Sequence, residues 1–168
     1  MYTRIAPDAT LVAGKVFTDG GVGLNSDLIA AMEWASLPAG TVVQACPGGV
    51  TTAIWASIVN MSLGSESRPQ RLNTGSDIDA VSLALNALAV ANGTLFVASA
   101  GNSGPYIGSL LEAPGAAAQA LSVSAAAKDY DLNHDDTASG DTCAGWSRAG
   151  SSAPGDNTCA GEVGNQPP

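Results

Sequence analysis

TLFVASAGNSGP, residues 94–105, is the stretch of sequence that decides the fold. Its first part, residues 95–98, is a short apolar run, which is typical of a strand buried on both faces of a parallel sheet. Small residues follow, and residues 102–105 have the Asn, Gly and Pro content of a loop. The stretch therefore predicts a buried strand that ends in a firmly held asparagine at the carboxyl edge of a sheet, where open α/β folds bind ligands.

Asn102 has two interpretations on this stretch alone. A side-chain amide held at a sheet edge can donate a hydrogen bond to an oxygen that becomes negative during acyl transfer. Asn and Gly are also common turn residues, so Asn102 can equally be a turn residue with no chemical role.

Strand and helix patterns alternate along most of the chain. Apolar residues recur at helical spacing after Asn25 or Ser26, either of which can cap a first helix, and again after Ser76, which is predicted to cap a second one. The predicted strands are residues 9–16, 41–46, 58–63, 95–98 and 120–125. Strands that alternate with helices through short links predict an α/β fold, a parallel β-sheet with helices on both faces. The α/β pattern covers residues 1–127. Residues 128–168 are rich in Gly, Ser and Asp and are predicted to be an acidic loop or insertion.

Net charge and hydropathy exclude two classes of partner. The formal net charge is −9 at pH 7, whereas a nucleic-acid-binding protein would show a basic patch. No apolar run approaches the length needed to cross a membrane, and the N-terminal residues lack the basic and apolar regions of a signal peptide. We therefore expect neither nucleic acid nor a membrane as a partner.

The cysteines indicate an oxidising, extracellular setting. Cys143 and Cys159 lie in the polar tail, where no core would hold the chain, so we predict a disulfide between them. Cys46 is left over, and the spacing of the three cysteines fits no zinc-binding pattern. The protein is therefore predicted to be secreted.

Several segments resemble the subtilisin-like serine peptidases, and they occur in the family's order. VNMSLG, residues 59–64, resembles the family's substrate-binding strand, and AGNSGP, residues 100–105, resembles its oxyanion loop. Residues 6–16, 26–35 and 113–123 resemble the strand after the family's histidine helix, the next helix, and the segment after the oxyanion loop. The match runs from about residue 5 to residue 126, and it implies the central part of a three-layer αβα peptidase domain, incomplete in this chain.

The resemblance implies roles for Asn102 and for two groups of residues. In the family, the residue that matches Asn102 donates its side-chain amide to the tetrahedral oxyanion. The first group is Ser62, Leu63 and Gly64. In the family, the residues that match it pair as a strand with the backbone of a polypeptide substrate. The second group is Ser99, Ala100 and Gly101, and the family's matching residues line the pocket for the side chain before the scissile bond. Because the second group is small, the resemblance implies a roomy apolar slot.

The catalytic triad is the main departure from the family. Its Asp and His precede the matched region, its Ser lies in a Gly-Thr-Ser-Met-Ala-type segment after the last strand, and no such segment occurs after residue 127. His134, the single histidine, is interpreted as an exposed loop residue, so Ser62, Ser99 and Ser103 have no base to activate them. We expect a fragment of a secreted serine endopeptidase that is inactive alone. The alternatives are a non-catalytic module that binds peptides by strand addition and an unrelated doubly wound ligand-binding domain.

We expect no cofactor. The glycines of residues 20–23 lack the spacing of a phosphate-binding loop, and no Gly-Lys-Ser/Thr sequence occurs. Residues 131–136, DLNHDD, begin like a calcium-binding loop, but Asp136 replaces the required Gly and Thr142 stands where a bidentate Glu is needed. A solvated acidic loop is the preferred interpretation, and calcium binding is the alternative.

Overall fold

The structure, a computed structural model, describes residues 6–45, 48–64, 79–102, 112–127 and 142–143. Two helices lie within these ranges, α1 (Asn25–Ser36) and α2 (Ala80–Asn92). The strands are β1 (Val42–Gln44), β2 (Val50–Thr52), β3 (Ile58–Met61), β4 (Leu95–Ser99), β5 (Ala120–Val123), β6 (Ala126–Ala127) and β7 (Thr142–Cys143). Within these ranges, neither helix has the length and apolar character that crossing a membrane requires.

A parallel sheet of β3, β4 and β5 forms the centre of the fold, with β4 between the other two strands. Met61 of β3 pairs with Ala98 of β4, and Phe96 of β4 pairs with Ala120 of β5. Two antiparallel pairs accompany this sheet, β1 with β2 and β6 with β7. The parallel sheet and its helices confirm the predicted α/β class, and the apolar run at residues 95–98 forms the central strand.

Both helices pack on one face of the parallel sheet. Paired residues of neighbouring strands point to the same face, so Val59, Met61, Phe96 and Ala98 lie on one side. The core joins this side to the apolar faces of both helices, and its buried members are Met32, Met61, Val81, Leu85, Phe96 and Ala117. The apolar positions predicted from helical spacing in α1 and α2 therefore do form their inner faces.

The opposite face of the sheet is largely exposed. Ile58, Leu95, Leu121 and Val123 point to this face, and their exposed fractions are 62%, 44%, 53% and 51%. Among the described residues no helix covers it. Apolar side chains of this kind are normally covered in a parallel sheet, which is buried on both faces in complete α/β domains.

The ends of α2 show why a helix forms at this position. Asp79 is the N-cap, and its carboxylate accepts hydrogen bonds of 2.8 Å from the backbone N–H of Ser82 and 2.7 Å from its hydroxyl. Gly93 ends the helix in the left-handed conformation at φ 68°. The predicted cap at Ser76 is wrong, because α2 begins at Ala80 and the carboxylate that satisfies its first turn belongs to Asp79.

The beginning of α1 also differs from the prediction. The N-cap is Leu24, which makes no side-chain capping hydrogen bond, and Asn25 is already the first helical residue. Neither Asn25 nor Ser26 therefore caps the helix. Asp27 does lie in the first turn, where its negative charge interacts favourably with the helix dipole.

The strand predicted for residues 9–16 is not formed. These residues belong to no sheet, and Leu11 and Val12 are 82% and 59% exposed. A strand requires hydrogen-bonding partners along at least one edge, and in the described part of the chain this segment has no neighbouring strand.

Conversely, β2 was not predicted. It forms because the turn before it, with Gly48 and Gly49 at positive φ, lets residues 50–52 fold back on β1.

Candidate active site

The segments that follow β3 and β4 lie together at one edge of the parallel sheet. The pairing of Met61 with Ala98 brings the carboxyl ends of both strands to the same edge. The hydroxyl of Ser99, the last residue of β4, donates a hydrogen bond of 2.8 Å to the carbonyl of Leu63. The structure therefore places the two predicted groups side by side, Ser62, Leu63 and Gly64 against Ser99, Ala100 and Gly101.

The backbone after β4 is held by hydrogen bonds on both sides. The N–H of Ala100 donates to the carbonyl of Val123 in β5 at 2.9 Å, and the carbonyl of Ala100 accepts from the N–H of Glu112 at 3.2 Å. Gly101 follows at φ 103°, a conformation that favours glycine. Both Ala100 and Gly101 are buried. The chain direction at the end of β4 is thus fixed before it reaches Asn102.

Asn102 lies at the open end of this edge. The residue is exposed, and its backbone N–H donates to Oε1 of Glu112 at 3.3 Å. Its carboxamide makes no hydrogen bond to another described residue. The sequence predicted Asn102 at the carboxyl edge of a sheet, after the strand at residues 95–98, and the structure places it there.

Glu112 is a site residue that sequence reasoning missed. A Cβ built on Gly64 would lie 2.7 Å from its Oε2, and a Cβ built on Gly101 would lie 2.6 Å from its Cδ. Both distances are shorter than real Cβ contacts, so the side chain fits only because both neighbours are glycines. The slot between the two groups therefore contains a carboxylate, which corrects the expectation of an apolar slot. The signal available in the sequence was the acidic residue just before residues 113–115, where the chain returns to the strand ends.

Gly115 holds this returning segment against β4. A Cβ built on Gly115 would lie 2.2 Å from the carbonyl oxygen of Ser99, a distance that no side chain could accept. The carbonyl of Glu112 accepts from the N–H of Ala116 at 3.0 Å, which closes a turn just after the carboxylate. These contacts fix the backbone from which the Glu112 side chain extends.

The two other serines named from the sequence that fall within the described residues are both engaged in hydrogen bonds. Ser62 accepts a hydrogen bond of 3.2 Å from the Asn60 amide, and Ser99 uses its hydroxyl on Leu63, so neither contacts a base among the described residues. His134, Ser103, the acidic residues 131–136 and the cysteines Cys46 and Cys159 lie outside the described residues. The described ranges contain no group of three or more His, Cys, Asp or Glu residues that could hold a metal ion.

A cavity of about 580 Å³ lies elsewhere in the fold. Its walls come from residues 13–18, from α1 with Trp34, and from the β1–β2 hairpin. The residues that line it include none of the predicted site residues. It therefore plays no part in the site at the strand ends.

Comparison with known families identifies the kind of protein to which this edge belongs. The sequence profile of the subtilase family, peptidase S8, matches residues 2–167. The chain belongs to the subtilase family. Similar proteins include a subtilisin from Bacillus sp. (strain TA39), 38% identical over 122 residues, and the minor extracellular protease Vpr from Bacillus subtilis (strain 168), 32% identical over 121 residues.

Each of these alignments covers 72% of this subtilase chain, but only 24% of the subtilisin and 12% of the Vpr protease. Among solved structures, the S41 psychrophilic protease is similar to the chain, with a TM-score of 0.54 and 28% identity. That similarity covers 84% of this chain and 37% of the protease. The subtilase chain thus spans well under half the length of these relatives, and it shares the fold of the psychrophilic protease over most of its own length.

Proposed function

We propose that these residues are the central part of a secreted subtilase endopeptidase, which hydrolyses peptide bonds in polypeptide substrates. The observation that carries the proposal is the meeting of residues 62–64 and 99–102 at one edge of a parallel sheet, in a chain of the subtilase family. In this proposal the carboxamide of Asn102 donates to the oxygen that becomes negative when the peptide carbonyl is attacked. The exposure of Asn102 leaves it accessible to a substrate.

Residues 62–64 provide the groups that bind the substrate backbone. Carbonyl groups of an extended chain point alternately to its two sides. The Leu63 carbonyl points towards β4, where Ser99 binds it. The carbonyls of Ser62 and Gly64 are then directed to the outer edge, where an extended peptide could pair with them as an added strand. Recognition through backbone groups places little demand on the substrate sequence.

Ser99, Ala100 and Gly101 form the wall of the pocket for the substrate side chain that precedes the scissile bond. Ala100 and Gly101 are buried, and their backbone is held by β5 and by Glu112. A wall with fixed backbone and small side chains suits a pocket that must receive a side chain without rearranging. Fixed positions of this kind also keep the Asn102 donor in one place relative to the bound carbonyl.

The nucleophile and its base lie outside these residues in our proposal. The sequence has one histidine, His134, and it stands after the oxyanion segment, whereas the family's histidine precedes it. The chain spans 24% of the related subtilisin, which leaves ample length for the missing triad in a longer protein. Secretion is proposed because the related Vpr protease is described as extracellular and because the cysteines suit an oxidising setting.

The test compares the chain with the full-length protein encoded by its gene. We expect the full-length protein to cleave a fluorogenic peptide and to be labelled and blocked by a fluorophosphonate, which reacts with activated serines. The chain of residues 1–168 is expected to show neither reaction. Cleavage and labelling by the chain alone would contradict the absence of the triad. A full-length protein that binds peptides but neither cleaves them nor reacts with the fluorophosphonate would instead support the peptide-binding module.

A further inference from the structure

The slot beside the proposed oxyanion donor contains an acidic side chain at a specific position. Oε1 of Glu112 accepts from the backbone N–H of Asn102, and Oε2 faces Gly64 on the other wall. The carboxylate therefore spans the space between the two segments that bind the substrate. Its approach to both walls depends on glycine at positions 64 and 101, because a Cβ at either would lie within 2.7 Å of the Glu112 side chain.

We propose that Glu112 makes this subtilase prefer substrates with Lys or Arg immediately before the scissile bond. The inference rests on the proposed function, because it assigns a specificity to the pocket of that same site. Glu112 is in this proposal a specificity-determining residue. Its carboxylate binds the ammonium or guanidinium group of the substrate side chain.

The chemistry of the slot favours a long basic side chain over an apolar one. The aliphatic part of Lys or Arg would lie along the small walls formed by Ala100 and Gly101, while its charged end reaches the carboxylate. Hydrogen bonds between opposite charges are stronger than neutral ones. A bulky apolar side chain would instead place apolar surface against a charged group and offer it no hydrogen bond, which is unfavourable. The net charge of −9 on the chain adds a weaker, general attraction for cationic substrates.

Glu112 also has a structural contact, and the test must separate the two contributions. Its backbone N–H donates to Ala100 and its Oε1 accepts from Asn102, so the residue helps to position the oxyanion segment. Glu112→Gln keeps an oxygen at Oε1 and nearly the same shape, but removes the charge. Glu112→Ala removes the charge and the side-chain acceptor together. A loss of preference for basic substrates in Glu112→Gln therefore reports on charge alone.

The experiment uses the full-length protein and fluorogenic peptides that differ only in the residue before the scissile bond, which is Arg, Lys or Leu. We expect the wild-type kcat/KM to be at least about ten-fold higher for Arg and Lys than for Leu. Glu112→Gln is expected to lower the Arg-to-Leu ratio by about 10- to 100-fold, the usual effect of losing a hydrogen bond between charged groups. Glu33→Gln on α1 removes a carboxylate outside the site, and we expect it to leave the ratio unchanged. Sequencing the fragments of a denatured protein cut by the wild-type enzyme gives the preference without any variant.

The possible outcomes distinguish a failure of the inferred specificity from a failure of the proposed endopeptidase function. Efficient cleavage after Leu with no preference for Arg or Lys would overturn the inference and leave the endopeptidase function intact. A Glu112→Gln enzyme that loses activity equally on all peptides would reduce Glu112 to a positioning residue, and the inference would again be wrong. A full-length protein that cleaves no peptide would overturn the proposed function, and the specificity with it.

Discussion

The hydroxyl of Ser99 donates a hydrogen bond of 2.8 Å to the carbonyl of Leu63, which ties the end of β4 to the segment after β3. This contact joins residues that are 36 positions apart in the sequence. It lies at the border between the proposed substrate-binding segment and the proposed pocket wall. This side-chain hydrogen bond therefore adds to the strand pairing and the backbone hydrogen bonds that hold the two segments together.

Replacing Ser99 by Ala tests this contribution. The substitution removes the donor to Leu63, which we expect to cost about 1 kcal/mol of local stability. Local opening would then be roughly five-fold more frequent, so amide hydrogen exchange in residues 58–64 of the full-length protein should accelerate by a similar factor. Ser57→Ala is the control, because Ser57 is exposed and outside the site. Unchanged exchange in Ser99→Ala would show that the segment is held by β3 alone.

Asp79 is predicted to set the beginning of α2. Asp79→Ala removes an acceptor for both the N–H and the hydroxyl of Ser82, and we expect a loss of about 1 kcal/mol in the free energy of unfolding. Asp79→Ser is the matched control, since serine is also a good N-cap and should recover most of the loss. Chemical unfolding of the full-length protein measures both variants. Equal stability of Asp79→Ala and wild type would contradict the assignment of the cap.

The central part of the fold could be predicted because it depends on local patterns. The apolar run at residues 95–98 is a property of neighbouring residues, and it forms a strand as predicted. The prediction that this strand is buried on both faces is wrong, because Leu95 on its outer face is 44% exposed. The segment at residues 9–16 is also rich in apolar residues but forms no strand. Its state depends on a neighbouring strand, and that is a property of the rest of the fold.

The site could be predicted only in part, for the same reason. Asn102 was proposed because it follows a predicted strand, and Ser99 because it lies in a segment that resembles the family's pocket wall. Glu112 was missed because its importance arises from spatial proximity to Gly64 and Gly101, across a segment whose path the sequence does not reveal. The N-cap was predicted at Ser76 and lies at Asp79. The sequence could not distinguish them because several polar residues in this region are equally good capping residues.

The exposed face of the sheet predicts the behaviour of the isolated chain. Ile58, Leu95, Leu121 and Val123 lie on this face and are each at least 44% exposed. We expect residues 1–168, produced alone, to associate or to be partly molten, because apolar sheet faces and edges that remain uncovered promote association. Sedimentation velocity and binding of the dye ANS measure this, with the full-length protein as the control. A monomer with a sharp cooperative melting transition would contradict the expectation.

The tail is predicted to be closed by a disulfide between Cys143 and Cys159. Peptide mapping of the full-length protein, before and after reduction and alkylation, identifies the bonded pair. Cys46→Ser is the control and should leave the map unchanged, whereas a new pairing in this variant would implicate Cys46. The chain-entropy model assigns a loop of about 15 residues roughly 3 kcal/mol of stabilisation, so reduction should loosen the tail.

The last prediction concerns Asn102 in the full-length protein, which we propose to be an endopeptidase. Attack on a peptide carbonyl moves negative charge to its oxygen, and this charge is complete only in the tetrahedral state that follows. A donor directed at that oxygen therefore lowers the barrier to reaction without strengthening the binding of the substrate. The backbone before Asn102 is fixed by β5 and by Glu112, so the proposed donor extends from a backbone position that is set before a substrate binds.

Asn102→Leu keeps the size of the side chain approximately constant and removes its N–H group. We expect kcat to fall by about 10²–10³-fold with little change in KM, a magnitude taken from the loss of a single oxyanion donor in subtilisin. Asn102→Asp is a second variant that retains the shape but places negative charge beside the oxyanion, and it should be at least as slow. Circular dichroism of both variants confirms that the fold is intact. Near-normal kcat in Asn102→Leu would make Asn102 a turn residue, and a raised KM with unchanged kcat would make it a group that binds the substrate before reaction.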